Sequence, residues 1–135
     1  MYGFEKALYT QVLMQTSNQI IGRIAERLVC NHLQQHGLKF IASNYQCKCG
    51  EVDLIMRDGE IIVFVEVRHR KISDYGDGVA TVTKKKQHKI IKAAAYYLQK
   101  NNLLNTIACR FDIVATSGKS DSEVEWIKDA FWEKW

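Results

Sequence analysis

Three acidic residues and an arginine interrupt an otherwise apolar stretch of the sequence, GEVDLIMRDGEIIVFVEVR, at residues 50–68. They are Glu51, Asp53, Glu66 and Arg68. Burying a carboxylate costs free energy unless it is paired, hydrogen-bonded or bound to a metal, so the sequence predicts a partner for these charges. A hard divalent ion such as Mg²⁺ is one such partner, because it prefers oxygen ligands and takes one or two protein carboxylates plus water.

The dipeptide Asp58-Gly59 is a strong signal for a two-residue hairpin turn. It predicts antiparallel strands over residues 51–57 and 60–68. The expected register pairs Arg57 with Glu60, Ile55 with Ile62, Asp53 with Phe64 and Glu51 with Glu66. Since like charges directly opposite each other are unfavourable, a cation or Arg68 is expected between Glu51 and Glu66.

Side chains alternate along a strand, so the acidic residues share one face of the hairpin. The opposite face is uniformly apolar and comprises Val52, Leu54, Met56, Ile61, Val63, Val65 and Val67. Asp53 and Glu66 are then diagonal neighbours with Cα atoms about 7–8 Å apart, from where both carboxylates can converge on one cation. The alternative is a solvated strand end, with Arg68 and Arg70 pairing the acids across the surface.

The chain has 135 residues, of which 47% are hydrophobic and 25% are charged. This composition excludes an intrinsically disordered chain and is typical of a globular protein with a real core. We therefore expect a single domain over residues 1–135. Residues 1–16 are expected to form either an extra helix or a loose arm.

No apolar run is long enough to cross a bilayer, and the N-terminus lacks a secretory signal, so we expect a cytoplasmic protein with no membrane partner. The net charge of +4 permits a nucleic-acid partner without requiring one. The four cysteines are Cys30, Cys47, Cys49 and Cys109. They are predicted to be free thiols. A zinc site is the alternative, but the C-x-C spacing of Cys47 and Cys49 is shorter than the usual zinc spacing.

Apolar spacing predicts a first helix over residues 17–36, which Ser17 or Asn18 could cap and which Gly37 follows. Its apolar stripe comprises Ile20, Ile21, Ile24, Ala25 and Leu28. Further strands are predicted at residues 38–46, 108–116 and 123–127.

A polar loop, residues 69–82, precedes a second helix that Thr83 caps and that runs to about Lys100. The terminal segment KDAFWEKW is predicted to form a turn or helix, with Phe131 and Trp132 packed on the core. This order of elements predicts an α/β fold with a central mixed β-sheet flanked by helices.

On a helical wheel, the second helix has an apolar face and a basic face. The apolar face contains Ile90, Ile91, Ala94 and Leu98, and the basic face contains Lys84, Lys85, His88, Lys89 and Lys92. Gln87 falls on the apolar face and needs hydrogen-bond partners, either near Glu66 or in the loop backbone. The lysines suit a phosphate backbone, and a solvated helix face is the alternative.

Several segments together resemble the bacterial YraN-like family. They are GRIAERLVCNHLQQHG, with Ala25 where glycine is usual, then NYQCKCGEVDLI, VFVEVRHR, KQHKIIKAAAYYL and RFDIVA. They follow in the family's order over about residues 17–132. The family in turn resembles the PD-(D/E)XK endonucleases, especially Holliday-junction resolvases, which implies a restriction-endonuclease-like fold.

In that superfamily a helical Glu, a strand Asp and a Glu-x-Lys pair surround Mg²⁺ or Mn²⁺. Carried over by position, the resemblance implies Asp53 and Glu66 as metal ligands, Glu26 as the helical acid and Arg68 at the lysine position. Gln87 sits where many relatives have a polar residue on the following helix. The residues implied to contact nucleic acid are Arg70, Lys84, Lys85 and Lys89.

Arg68 departs from the superfamily pattern. A lysine can lose its proton and help activate water, whereas arginine stays charged at any working pH. Two hypotheses therefore stay open: a metal-dependent endonuclease acting on DNA, including branched DNA, and a non-catalytic nucleic-acid-binding module. An interaction protein that uses Trp126, Trp132 and Trp135 is a third. Resolvase relatives are dimers, which implies a homodimer, and the sequence leaves DNA against RNA undecided.

Overall fold

The computed structural model describes residues 2–70, 82–117 and 123–132, with side chains described from residue 17 onwards. Within these residues, two helices and five strands follow in the order α1 (Tyr2–Gln35), β1 (Lys39–Cys47), β2 (Gly50–Asp58), β3 (Ile61–His69), α2 (Lys84–Lys100), β4 (Cys109–Thr116) and β5 (Glu125–Phe131). The spatial order of the sheet is β1-β2-β3-β4-β5, and only the β3–β4 pair is parallel. The predicted α/β class with a mixed sheet is confirmed, and the architecture is consistent with the restriction-endonuclease-like fold.

The two faces of the sheet carry separate apolar clusters. One face packs against α2 through Ile55, Phe64 and Phe111, which meet Ile90 and Leu98 of the helix. The other face packs against α1 through side chains of four strands and of the helix. They include Leu54, Met56, Val63, Val65 and Val114 of the sheet, with Val29 and Leu33 of the helix. Each helix therefore covers one side of the sheet, which leaves the strand ends open.

Helix α1 is longer than predicted. It is continuous from Tyr2, so the prediction that Ser17 or Asn18 caps its start is wrong. Its end is as predicted: Leu38 N–H bonds to the Leu33 carbonyl, and Gly37, with φ of +93°, bonds to the Gln34 carbonyl. This is the Schellman arrangement that glycine favours.

The apolar stripe predicted for α1 is also wrong in part. The buried residues are Ala25, Val29 and Leu33, at a spacing of four, whereas Ile20 and Ile24 are about half exposed. Two adjacent stripes of this helix are apolar, and hydropathy alone does not choose between them. The small side chain of Ala25 faces the protein interior, and the isoleucines consequently lie outside.

The β2–β3 hairpin forms, but its turn lies one residue later than predicted. Asp58 pairs with Ile61, so Gly59 and Glu60 are the turn residues, and Gly59 has a φ of +60°. Glycine at the first central position is typical of a type II′ turn. The register moves by two residues, which preserves the faces and changes the partners: Ile55 is opposite Phe64 rather than Ile62.

Strand alternation breaks near Asp53. Val52 packs in the same cluster as Ile55, so the prediction that Val52 lies on the other face is wrong. In the paired strand β1, Asn44 adopts a left-handed φ of +52°, and Ala42 and Tyr45 lie on one side. Asn tolerates this conformation better than most residues. Both strands are therefore irregular in the region of Asp53.

Helix α2 is as predicted: Thr83 Oγ1 accepts the Lys86 N–H at 3.1 Å, and the helix ends at Lys100. Its predicted apolar residues are buried and its predicted basic face is exposed. Most of the preceding loop, residues 71–81, lies outside the described residues. All four cysteines lie within them, and none forms a disulfide, as predicted.

The C-terminal prediction is partly wrong. The edge strand β5 runs over Glu125–Phe131, so residues 128–131 are strand rather than a turn or helix. Phe131 is buried against Phe111 as predicted, but Trp132 is 68% exposed. Residues 133–135 lie outside the described part of the chain. Neither described helix is long and apolar enough to cross a membrane.

Candidate functional site

Asp53 and Glu66 form a carboxyl pair between the central strands β2 and β3. The paired register of the hairpin ends at Leu54 and Val65, and Asp53 and Glu66 are the next residues along the two strands. Their side chains share a hydrogen bond, and Asp53 Oδ2 also accepts the Val67 N–H at 2.8 Å. The aspartate therefore takes the place of a backbone acceptor where β2 and β3 begin to separate.

Burial makes both carboxyl groups hard to ionise. The Glu66 side chain is 5% exposed, and its removal from water, together with the nearby charge of Asp53, raises its pKa to about 8. The pKa of Asp53 is also raised, mainly by burial, although the Val67 N–H counteracts this. Protonated Glu66 thus donates to Asp53 near neutral pH, and the pair can bind a cation once Glu66 loses its proton.

Cationic side chains approach the pair from β3 and from α2. Lys86 Nζ lies 3.8 Å from Glu66 Oε1, and the Arg68 charge also lowers the Glu66 pKa. Neither cation outweighs burial, because the net shift stays upward. The site therefore combines a buried acidic centre with a basic rim.

Glu26 reaches the same region from α1. Its Oε2 accepts a 3.0 Å hydrogen bond from Asn44 Nδ2, the residue that bends β1. Burial raises its pKa, and the charges of Asp53 and Glu51 raise it further. Glu26 is thus within electrostatic reach of Asp53, and its role as the helical acid stays a prediction.

Glu51 is not opposite Glu66. It accepts a hydrogen bond from Gln46 Nε2 at 3.1 Å across the β1–β2 pair, where Gln46 is its partner. The two-residue register shift removes the predicted clash of like charges between Glu51 and Glu66. Glu51 therefore lies beside the site rather than in it.

Gln87 adopts the second of its two predicted arrangements. Its Nε2 donates to the Val82 carbonyl at 3.0 Å, so the side chain closes the loop before α2. Its neighbour Lys86 is the side chain that reaches Glu66. Lys86 was not predicted for the site, because it falls on neither the apolar nor the basic face of the helical wheel.

The residues predicted to contact nucleic acid fall into two groups. Lys84, Lys85 and Lys89 are exposed on the first turns of α2. Arg70 is 9% exposed, and its Nη1 bonds to Glu125 Oε2 at 2.7 Å. The three lysines are exposed to solvent. The Arg70 guanidinium instead forms an ion pair that joins the end of β3 to the edge strand β5.

The donor set of the site suits a hard divalent ion with few protein ligands. Asp53 and Glu66 present adjacent carboxyl oxygens, and Mg²⁺ commonly takes one or two carboxylates plus water. Within the described residues, no group of three or more His, Cys, Asp or Glu side chains could hold a metal. The fit is thus to a two-carboxylate site.

A second buried acid, Asp112 on β4, was also missed by sequence analysis. It is fully buried and accepts hydrogen bonds from Arg110 Nε, Trp126 Nε1 and the Asp129 N–H at 2.9–3.1 Å. The donors from Trp126 and Asp129 fasten the edge strand β5 to β4, whereas Arg110 lies on β4 itself. The pattern R-F-D within an apolar strand was the available signal, because a charge at such a position needs partners.

These features define an α/β protein of an architecture consistent with the restriction-endonuclease-like fold, with an acidic pair at its central strands. The model of the uncharacterised protein family UPF0102, the YraN family, matches residues 25–116. The chain belongs to this family, which confirms the resemblance found in the sequence.

Relatives from several bacteria match most of the chain. A UPF0102 protein of Coxiella burnetii (strain RSA 331 / Henzerling II) is 50% identical over 117 residues, which cover 87% of this chain and 96% of the relative. A UPF0102 protein of Pseudomonas fluorescens is 44% identical over 121 residues, covering 88% and 98%. One from Legionella pneumophila is 44% identical over 110 residues, covering 82% and 92%. The match thus extends well beyond the acidic motif.

Proposed function

We propose that this protein is a metal-dependent endonuclease that hydrolyses phosphodiester bonds in DNA, with branched DNA as the substrate to test first. The observation that carries the proposal is the buried Asp53–Glu66 pair, with Lys86 3.8 Å from Glu66. Two buried carboxyl groups side by side are costly without a cation, and such strongly perturbed groups cluster at functional sites. The exposed lysines of α2 provide a surface for phosphates next to this pair.

Each residue has a defined task in this proposal. Asp53 and Glu66 would hold Mg²⁺ or Mn²⁺, with Glu26 on the α1 side. The bound ion would lower the pKa of a water molecule and neutralise charge on the scissile phosphate. Asp53 Oδ2 is engaged by the Val67 N–H, which fixes the orientation of this carboxylate. Arg68 would hold a phosphate oxygen through its guanidinium.

Hydrolysis consumes one water molecule for each bond. The water oxygen bonds to phosphorus, and one bridging P–O bond breaks. One water proton ends on the leaving oxygen, and the other leaves the new phosphate monoester for solvent. Glu66 must be ionised to hold the metal, so cleavage is expected to increase with pH through its titration range.

A cleavage assay tests this function. Single-stranded, duplex and four-way-junction DNA are incubated with Mg²⁺ or Mn²⁺ and with Asp53→Asn, Glu66→Gln or the wild-type protein. Glu60→Gln, which changes an exposed acid in the hairpin turn, is the matched control. Cleavage by the wild type and the control, but by neither site variant, supports an endonuclease.

The second candidate is a nucleic-acid-binding module without turnover, and Arg68 is the observation that favours it. Arginine cannot act as a base, and it binds phosphate well. Under this alternative, no metal yields cleavage. DNA binding is then salt-sensitive and survives Asp53→Asn and Glu66→Gln, but it weakens when Lys85 and Lys89 are replaced.

A further inference from the structure

The acidic pair has a lysine next to it that comes from a helix rather than from a strand. Lys86 lies on α2, and its Nζ approaches Glu66 Oε1 at 3.8 Å. The Glu66 side chain is buried while the Lys86 side chain is 40% exposed. The Lys86 ammonium group therefore lies between the buried Glu66 carboxyl and solvent, on the side from which a phosphate would enter.

The start of α2 is held in place by several contacts. Thr83 Oγ1 accepts the Lys86 N–H, the Thr83 carbonyl accepts the Gln87 N–H at 2.9 Å, and the Gln87 side chain bonds to Val82. Capping interactions of this kind define where a helix begins. These local contacts fix the position of the first turn of α2, which carries Lys86.

The sheet also positions this turn. Gly50, at the start of β2, lies so close to α2 that a Cβ atom there would be 2.5 Å from the Lys89 carbonyl oxygen. An open cavity of about 410 Å³ lies at this junction, lined in part by Gly50, Glu51, Lys86 and Lys89. Lys86 therefore lines an open cavity while its Nζ lies 3.8 Å from Glu66 Oε1, although neither Asp53 nor Glu66 lines that cavity.

Two cationic side chains act on Glu66, Arg68 from β3 and Lys86 from α2. A guanidinium is a broad, planar donor, whereas an ammonium is a compact charge that can follow a phosphate oxygen. We propose that Lys86 is the catalytic lysine of this site, delivered from α2, and that its ammonium binds a nonbridging oxygen of the scissile phosphate beside Glu66. In this role Lys86 stabilises negative charge on the phosphate, and proton transfer falls to water.

This inference rests on the proposed endonuclease function and is tested with Lys86→Met, Lys86→Arg and Arg68→Met. Lys100→Met is the matched control, because Lys100 is an exposed lysine at the far end of the same helix. Losing a donor to the transition state typically costs about 10²–10³ in kcat. We expect a loss of about 100-fold in kcat for Lys86→Met with little change in KM, partial recovery in Lys86→Arg, and no effect of Lys100→Met.

A second readout does not depend on turnover. Binding to a labelled duplex in EDTA is measured between 50 and 300 mM salt, where each phosphate contact contributes about −0.9 to the slope of log K against log salt. Lys86→Met should reduce the magnitude of this slope by about one contact. If Lys86 only neutralised Glu66, the variant would lose thermal stability at pH 8 while kcat and the slope stayed at wild-type values.

The outcomes separate the two proposals. Suppose that the wild type cleaves DNA, that Lys86→Met cleaves within threefold of it, and that Arg68→Met does not cleave. This result overturns the proposed role of Lys86 and supports the endonuclease function. DNA binding without cleavage overturns the endonuclease, and the salt slope of Lys86→Met then decides the phosphate contact by itself. If the wild type neither cleaves nor binds DNA, both proposals are wrong.

Discussion

Asp53 Oδ2 accepts the backbone N–H of Val67 at 2.8 Å, so a side chain of β2 completes the hydrogen bonding of β3. In an uninterrupted antiparallel ladder a carbonyl of β2 would receive such a donor. The aspartate thereby joins the acidic pair to the sheet: the same carboxylate that faces Glu66 also holds the strand on which Glu66 lies. Stability and function are consequently linked at this residue.

Asp53→Ala should destabilise the fold more than Asp53→Asn. Alanine leaves the partly buried Val67 N–H without its acceptor, which costs about 1 kcal/mol. Asparagine retains an amide oxygen that can accept the same bond. Urea unfolding at pH 6 measures both variants, and equal stability of the two would show that the Val67 hydrogen bond contributes nothing.

Glu66→Gln should stabilise the protein at alkaline pH and have little effect at acidic pH. The folded-state pKa of Glu66 is raised to about 8 from its ordinary value of 4.5, so the folded state holds a proton that the unfolded chain loses. Stability therefore falls as pH rises from about 4.5 to 8. At roughly 1.4 kcal/mol per pKa unit, the effect amounts to several kcal/mol.

Thermal unfolding in EDTA at pH 5 and pH 8 checks this expectation. The Tm of Glu66→Gln should exceed that of the wild type by about 10–20 °C at pH 8, with near equality at pH 5. Adding Mg²⁺ at pH 8 should raise the wild-type Tm but not that of the variant, since a ligand that binds only the folded state stabilises it. A Tm difference independent of pH would contradict the burial of Glu66.

Gly50→Ala should destabilise the protein by about 1–3 kcal/mol, the usual cost of overpacking. The new methyl group would meet the Lys89 carbonyl, a backbone atom that cannot rotate away, and would push α2 from β2. Gly22→Ala is the matched control, because a Cβ there has open space within α1. It should stabilise the protein by about 0.5–1 kcal/mol, since alanine favours helix. Opposite signs in urea unfolding are the expected result.

Asp112→Asn should lower stability by about 3 kcal/mol, because it breaks a buried ion pair with Arg110 and disturbs the contact to Trp126. Tryptophan emission is expected to shift on substitution. Asp58→Asn affects the exposed partner of the same Arg110 and should cost less than 1 kcal/mol. Comparable losses in the two variants would argue against a special role for the buried acid.

Much of the fold could be predicted from local patterns. The spacing of Ile90, Ile91, Ala94 and Leu98 identified the buried face of α2, and Thr83 and Gly37 identified helix ends. These signals depend on neighbouring residues along the chain. Motif order likewise identified the family, because it is a property of the sequence itself.

Errors arose where distant parts of the chain compete. Two apolar stripes on α1 were both plausible, and packing against the sheet buried Val29 and Leu33 instead of Ile20 and Ile24. The hairpin register moved by two residues because turn geometry favours Gly59 in the first central position. Neither choice is encoded in hydropathy alone.

The sequence by itself determined the residue types of the candidate site, the acids of β2 and β3 and the basic helix that follows. Only the tertiary structure decided that the side chains of Asp53 and Glu66 share a hydrogen bond and that Lys86, rather than Gln87, reaches the pair. The physical reason is that periodicity assigns a side chain to a face, whereas strand register and helix docking determine which side chains meet.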